Sequence, residues 1–321
     1  MKQTPACHPC VERQVLRVLD VALAHPEAPA LSQPERRRME LDLIEAARAW
    51  LALQAPGLSP AELSFGPIKM VYARTGLPDP YAELKRRSND EAMALLPEMR
   101  DWIRKSADPL ETAAHLAVAG NIIDLGIRKD YDIHESIRRI LDEGFVIDHL
   151  DQFSTGLEDR EASGIKPEVL YICDNAGEIA FDRLFIETLI EHFPGTRFTA
   201  SVNGGPVLND ALMEDAVAVG LTDLCPVIDN GCDLLGTVLE ECSPHFREVF
   251  DRADWVISKG QANYETLDGI SEKILFLLKA KCEPIAGHLG VTIYQGVFKQ
   301  GDNRRSALQE PCTEVACECG R

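Results

Sequence analysis

The 321-residue chain contains no uninterrupted apolar run near the ~18 residues that a transmembrane helix requires. Its opening stretch, Met1-Lys2-Gln3-Thr4-Pro5-Ala6-Cys7-His8-Pro9-Cys10, lacks the apolar h-region of a secretory signal. A cytoplasmic location is expected. Basic residues are scarce: 33 Lys and Arg stand against 52 Asp and Glu, a net charge of −19. A field of that sign repels phosphate backbones and anionic lipid, which argues against nucleic-acid and membrane partners. It leaves room for a small anionic ligand, because a bound cation inverts the field locally. The cysteines, 10 in all, are too sparse for a disulfide scaffold. In a reducing compartment most are buried thiols, and clusters among them are metal or redox candidates. Repeats of fixed period and low-complexity tracts are also missing. What remains is an ordinary globular composition, 45% hydrophobic and 26% charged, long enough for about two domains.

The two halves differ in period. Residues 1–150 show helical spacing, with Val11, Val15, Val18, Leu19 and Ala22 on one stripe. Ser32-x-x-Glu35 and Ser59-Pro60-x-Glu62 are capping boxes that open helices. Asp79-Pro80 and Asp108-Pro109 start two more, the second containing His115. No segment of this half alternates convincingly as a strand, so an all-helical domain is expected. Residues 151–167, poor in large apolar side chains, are expected to be a linker. Residues 168–321 change pattern. Short apolar runs at 169–173, 198–202, 224–228, 254–258, 274–278 and 291–298 alternate with helical stretches such as 178–192. This predicts βαβ units, a mainly parallel sheet and an α/β fold.

In such sheets ligands bind beyond the carboxyl ends of the strands. Polar residues gather there: Asp174-Asn175-Ala176-Gly177-Glu178, then Asn203-Gly204-Gly205 with Asn209-Asp210, then Lys259-Gly260 with Asn263, then Lys279 and Lys281. Asp174, Asn175 and Asp210 are hard oxygen donors suited to Mg²⁺ or Mn²⁺, and less strictly to Co²⁺ or Ni²⁺. Lys259 is expected to supply a point charge to phosphate. Gly204 and Gly260 are expected to let backbone N–H groups approach an anion, and Asn263 to orient an oxygen.

These motifs resemble those of the metal-dependent damage-control phosphatases, long catalogued as domain of unknown function 89. The resemblance rests on Asp174-Asn175-x-Gly177-Glu178, Asn209-Asp210, Lys259-Gly260-x-x-Asn263-Tyr264-Glu265 and Leu278-Lys279-x-Lys281-Cys282. It extends to Asp79-Pro80-Tyr81 with Lys85, to Gly120-Asn121-Ile122-Ile123-Asp124, and to Cys7-x-x-Cys10, which marks the stand-alone prokaryotic branch. It implies helices packed on a three-layer α/β/α sandwich and a divalent metal held by Asp174, Asn175 and Asp210. It also implies hydrolysis of small phosphometabolites such as sugar phosphates or damaged phosphopantetheine forms. Asp174, Asp210 and Lys259 are then the expected catalytic residues. Asn121, Asp124, Gly204, Asn209, Gly260, Asn263 and Lys281 are expected near substrate. The family's Asn-Asp element is usually followed by a small residue and Thr, whereas Ala211-Leu212 follows here. The proton of an attacking water is expected to pass to Asp174, to Glu178 or to a metal hydroxide. None of the apolar runs is followed by an Asp-x-Asp nucleophile motif of the haloacid-dehalogenase type.

Asn121 and Asp124, at i and i+3, share one helix face that is expected to close over the crevice. Cys7 and Cys10 have zinc-knuckle or redox spacing, and a second metal site with Cys312, Cys317 and Cys319 is conceivable. Cys173, Cys225, Cys232, Cys242 and Cys282 are expected to be buried packing residues. Two other functions compete. A carboxyl methyltransferase using S-adenosylmethionine would favour a Gly-rich turn after the first strand, where Asp-Asn-Ala-Gly stands instead. A non-enzymatic metal-binding module would show soft-metal affinity and no turnover.

Overall fold

The computed structural model describes residues 1–55, 57–119 and 141–304. Five helices come first: α1 (Cys7–Ala24), α2 (Gln33–Leu53), α3 (Pro60–Thr75), α4 (Ala82–Lys105) and α5 (Pro109–Ala119). Ser59 caps α3 as expected: its hydroxyl accepts from Glu62 N at 3.2 Å while Glu62 returns to Ser59 N at 2.7 Å. The sheet is built from β1 (Phe145–Asp148), β2 (Glu168–Ile172), β3 (Arg197–Val202), β4 (Val227–Asp229), β5 (Trp255–Lys259), β6 (Ile274–Lys279) and β7 (Gly296–Gln300). Between them run α6 (Leu150–Ala162), α7 (Glu178–His192), α8 (Met213–Ala218), α9 (Pro244–Arg252), α10 (Gln261–Leu267) and α11 (Glu283–Leu289).

The strand order is β1-β7-β6-β5-β2-β3-β4. β2 to β6 are parallel, and β7 runs antiparallel to β6 with β1 parallel beside it. Alternate residues face opposite sides. Val169, Tyr171, Ile257, Leu275 and Leu277 join α4 to α7 in one core. Leu170, Ile172, Val256, Phe276 and Leu278 join α9 to α11 in another. The expected α/β/α sandwich is the observed fold. A smaller cluster, including Val15, Val18, Leu43, Ile68 and Val207, packs α1 to α3 against the loop after β3.

Two expectations of organisation are corrected. The segment 151–167 is not a linker: most of it is α6, whose Leu150, Phe153 and Leu157 are buried in the main core. Its three apolar anchors lie one or two turns apart, too thin a stripe to stand out between Ser, Gly and acids. The first half also contains a strand, β1, with only four residues and a half-buried, exposed alternation. Its pairing with β7 is what gives it strand character. Among the described residues, no helix is long and apolar enough to cross a membrane.

Candidate active site

The ends of β2, β3 and β5 lie level, since Ile172 pairs with both Ser201 and Ser258. Chain leaving β2 and chain returning after β3 are then zipped together. Ala211 N donates to Asp174 O at 2.8 Å, Ala176 N donates to Asn209 O at 2.9 Å, and Asn175 and Asp210 form an isolated antiparallel bridge. This brings Asp174, Asn175 and Asp210 together, as the spacing of the motifs predicts.

Asn175 Nδ2 donates to Asp174 Oδ2 at 2.7 Å, and Asn203 Nδ2 donates to Asp210 Oδ2 at 3.2 Å. Asp174 Oδ1, Asn175 Oδ1 and Asp210 Oδ1 accept no hydrogen bond among the described residues. Both carboxylates are buried. Burial, and then repulsion from Glu178, raises the Asp174 carboxyl to about 7. Burial, and then Asp174 itself, drives Asp210 well above the aspartate range. Hard, uncommitted oxygens whose charges repel one another suit a divalent cation. Among the described residues no group of three or more His, Cys, Asp and Glu side chains is arranged to hold a metal. The set here is completed by an amide.

These residues line a cavity of about 420 Å³ whose other walls come from α1, α3, α10 and the start of α11. Asn209 and Lys281 line it too. Lys281 lies close enough to counter the upward shifts of both Asp174 and Asp210. Cys7, Cys10 and Arg13 place the first helix on the same wall.

Lys259 lies elsewhere. It is fully buried and donates to Glu178 Oε1 at 2.7 Å, Asp182 Oδ1 at 2.5 Å and Ala117 O at 2.8 Å. An ammonium has three donors, so none is left for phosphate. Burial opposes its charge, but Asp182 and Glu178 outweigh burial and hold it above the usual lysine range. Glu178 is occupied on both oxygens, because Asn175 Nδ2 approaches Oε2 at 3.4 Å. Among the described residues, the donors of Lys259 and both oxygens of Glu178 are thus committed to partners other than a phosphate or an attacking water.

The glycines also serve otherwise than expected. Gly260 has φ 81° and ψ 168°, and its N–H is taken by Leu277 O. A Cβ there would stand 2.0 Å from Asp174 Oδ2, so the missing side chain makes room for the carboxylate. Gly204 N donates to Cys232 O at 2.9 Å, and a Cβ would meet Cys232 N at 2.7 Å. It serves close backbone packing. Asn263 donates to Lys259 O and Cys173 O and accepts from Thr237 Oγ1, which ties β5 to β2 and leaves no amide group for substrate.

Sequence reasoning missed two supports. Asn203, placed only in a turn, also donates to Leu234 O at 2.8 Å while holding Asp210. Asn89 of α4 accepts from Gly177 N and donates to Asp215 Oδ1, both at 2.7 Å, so it pins the turn after β2. Its one signal was a polar residue a helical turn beyond Lys85, on the buried face. Asn121, Asp124, Cys312, Cys317 and Cys319 lie outside the described residues. Cys173, Cys225 and Cys242 are buried as expected, whereas Cys232 and Cys282 are only half-buried.

The chain is similar to known proteins over most of its length. The damage-control phosphatase ARMT1-like domain matches residues 4–297. A damage-control phosphatase of Pyrococcus horikoshii is 31% identical over 293 residues, covering 91% of this chain and 95% of its own. One from Archaeoglobus fulgidus is 35% identical over 237 residues, covering 72% and 79%. An uncharacterised protein of Methanocaldococcus jannaschii is 37% identical over 228 residues, covering 68% and 73%. The crystal structure of a DUF89 family protein from P. horikoshii superposes with a TM-score of 0.79 at 30% identity, covering 94% of this chain and 100% of that one. With the motifs, the fold and these relatives in agreement, the chain belongs to the damage-control phosphatase ARMT1-like family.

Proposed function

We propose that this protein hydrolyses phosphate monoesters of small metabolites, with a divalent cation held by Asp174, Asn175 and Asp210. The observation that carries the reading is the trio of uncommitted oxygens at the zipped strand ends, opening into one cavity with Lys281. When bound, Mn²⁺, Co²⁺, Ni²⁺ or Mg²⁺ supplies Lewis acidity toward a phosphoryl oxygen and toward water. The protein's own groups do the rest. Lys281 adds a positive charge at the cavity wall, where the chain as a whole has a deficit. Glu178 is engaged by Lys259 and Asn175, which argues against it as the base. Two acids on the cavity wall, Asp174 and Glu265, have carboxyls raised by burial to about 7, in range for proton exchange near neutrality in the cation-free protein. Helix α1 walls the cavity and limits bulk water around the ester. A cavity of about 420 Å³ suits a sugar phosphate or a ligand of similar size.

The test is phosphate release from a panel of phosphometabolites with each of the four cations, and with chelator as control. Release that needs a cation and is lost in Asp174→Ala supports the reading. Release that chelator leaves untouched, or turnover retained by a folded Asp174→Ala, sinks it.

A further inference from the structure

The Asn175 amide has two faces, and only its oxygen is a cation ligand. What sets its rotation is visible beneath it. Asn175 Nδ2 donates to Asp174 Oδ2 at 2.7 Å and approaches Glu178 Oε2 at 3.4 Å, leaving Oδ1 without a hydrogen-bond donor among the described residues. Glu178 is in turn anchored at Oε1 by Lys259 at 2.7 Å, and Lys259 is held by Asp182 at 2.5 Å and by Ala117 O at 2.8 Å. Lys259 is 0% exposed, Asp182 0% and Glu178 3%, so the arrangement is shut off from bulk solvent.

We infer that Glu178 is a positioning residue: spanning Lys259 and Asn175, it locks the Asn175 amide with Oδ1, not Nδ2, available to the cation. This rests on the cation reading above and assigns a use to the residues behind it. Glu178 and Asp182 sit on α7 one turn apart, and Lys259 is the last residue of β5. Helix and strand packing thus set the orientation of a ligand that itself lies in the turn after β2. Lys259 is part of the seat of the site and does not contact substrate. The demand on Glu178 is specific, because both neighbours present donors. A carboxylate can accept from both at once. A glutamine cannot: whichever way its amide turns, an N–H₂ faces either the Lys259 ammonium or Asn175 Nδ2. In the second case the Asn175 amide is driven to turn its nitrogen toward the cation.

The experiment is Mn²⁺ titration of the full chain followed by the free-Mn²⁺ electron paramagnetic resonance signal, with thermal unfolding of each variant measured without metal. Glu178→Gln is expected to weaken Mn²⁺ binding by about 10–100-fold, the usual scale for removing a partner of a metal ligand. Adding Lys259→Met to it removes the opposing donor and lets the glutamine oxygen face Asn175. That double variant is expected to regain most of the lost affinity, which a merely structural role would not produce. If Glu178→Gln folds too poorly to titrate, Glu178→Asp carries the same expectation, since the shorter carboxylate keeps its charge but does not span both donors. Wild-type affinity in either single variant overturns the inference, as does a double variant no better than Glu178→Gln. A wild-type chain that binds no Mn²⁺ overturns the cation reading itself, a separate outcome.

Discussion

Two clusters of buried acids sit side by side at the end of this sheet, and they differ in one respect. Glu178 and Asp182 enclose their own cation, Lys259, whose three donors are all used. Asp174 and Asp210 have no such cation within hydrogen-bonding range among the described residues; burial raises both, and Asp174 raises Asp210 further. Burying a charge is tolerated best when it is paired, and the first cluster carries its own cation, although Asp182 Oδ2 has no hydrogen-bond partner among the described residues. The second depends, in the function proposed above, on a cation from outside. Acids, lysines and amides occur in both, and the type of residue does not tell them apart. The partner count does.

The comparison breaks most visibly at the uncompensated pair. Asp174→Ala is expected to cut cation-dependent phosphate release by about 10³-fold or more, since several kcal/mol of charge stabilisation go with the cation. Circular dichroism should show the fold intact. Lys259→Met attacks the compensated cluster and should instead destabilise the protein by about 3–5 kcal/mol, the scale for removing one partner of a buried pair. Denaturant titration checks this. A stable, inactive Lys259→Met would mean that the two clusters have been assigned the wrong way round.

Gly260→Ala probes the contact between the clusters. A backbone at φ 81° and a Cβ placed 2.0 Å from Asp174 Oδ2 predict a loss of about 1–3 kcal/mol in stability with a parallel fall in Mn²⁺ affinity. Calorimetric titration reads the second effect.

The pH dependence follows from the raised acids. A native-state carboxyl at about 7 keeps its proton where the unfolded chain has lost it. Between the ordinary aspartate range and about 7 the native state binds more protons, so the stability of the cation-free protein falls as pH rises through that window. Ionised carboxylates bind cations better. Added Mn²⁺ should therefore raise the unfolding temperature more at about pH 8 than at about pH 5. An equal rise at both would contradict the assignment. The smallest effect is expected at Lys281→Ala. Loss of one exposed cation should raise KM roughly tenfold while stability moves by less than about 0.5 kcal/mol.

Much of this was legible beforehand. The apolar runs of β2, β3, β5 and β6 are buried on both faces and so stand out as continuous hydrophobic stretches. Asp174, Asn175 and Asp210 follow strand ends, where the topology of a parallel sheet gathers loops. β1 and α6 were not legible, because their identity depends on distant partners: β7 for the strand, and the sheet face for Leu150, Phe153 and Leu157. Asn89 was hidden for the same reason, its role being set by Gly177, 88 residues away.

The sequence by itself determined the α/β class, the family and the three donors expected to hold a cation, because those follow from period, spacing and residue chemistry along one stretch of chain. Only the tertiary structure decided what Lys259, Glu178, Gly204, Gly260 and Asn263 do. Each is committed in the fold to a contact other than the one expected of it. The physical reason is that a charged or polar group acts through whatever donors and acceptors remain free after packing. Which of them remain free is settled by neighbours that folding brings from α4, α5, α7 and the loop after β4.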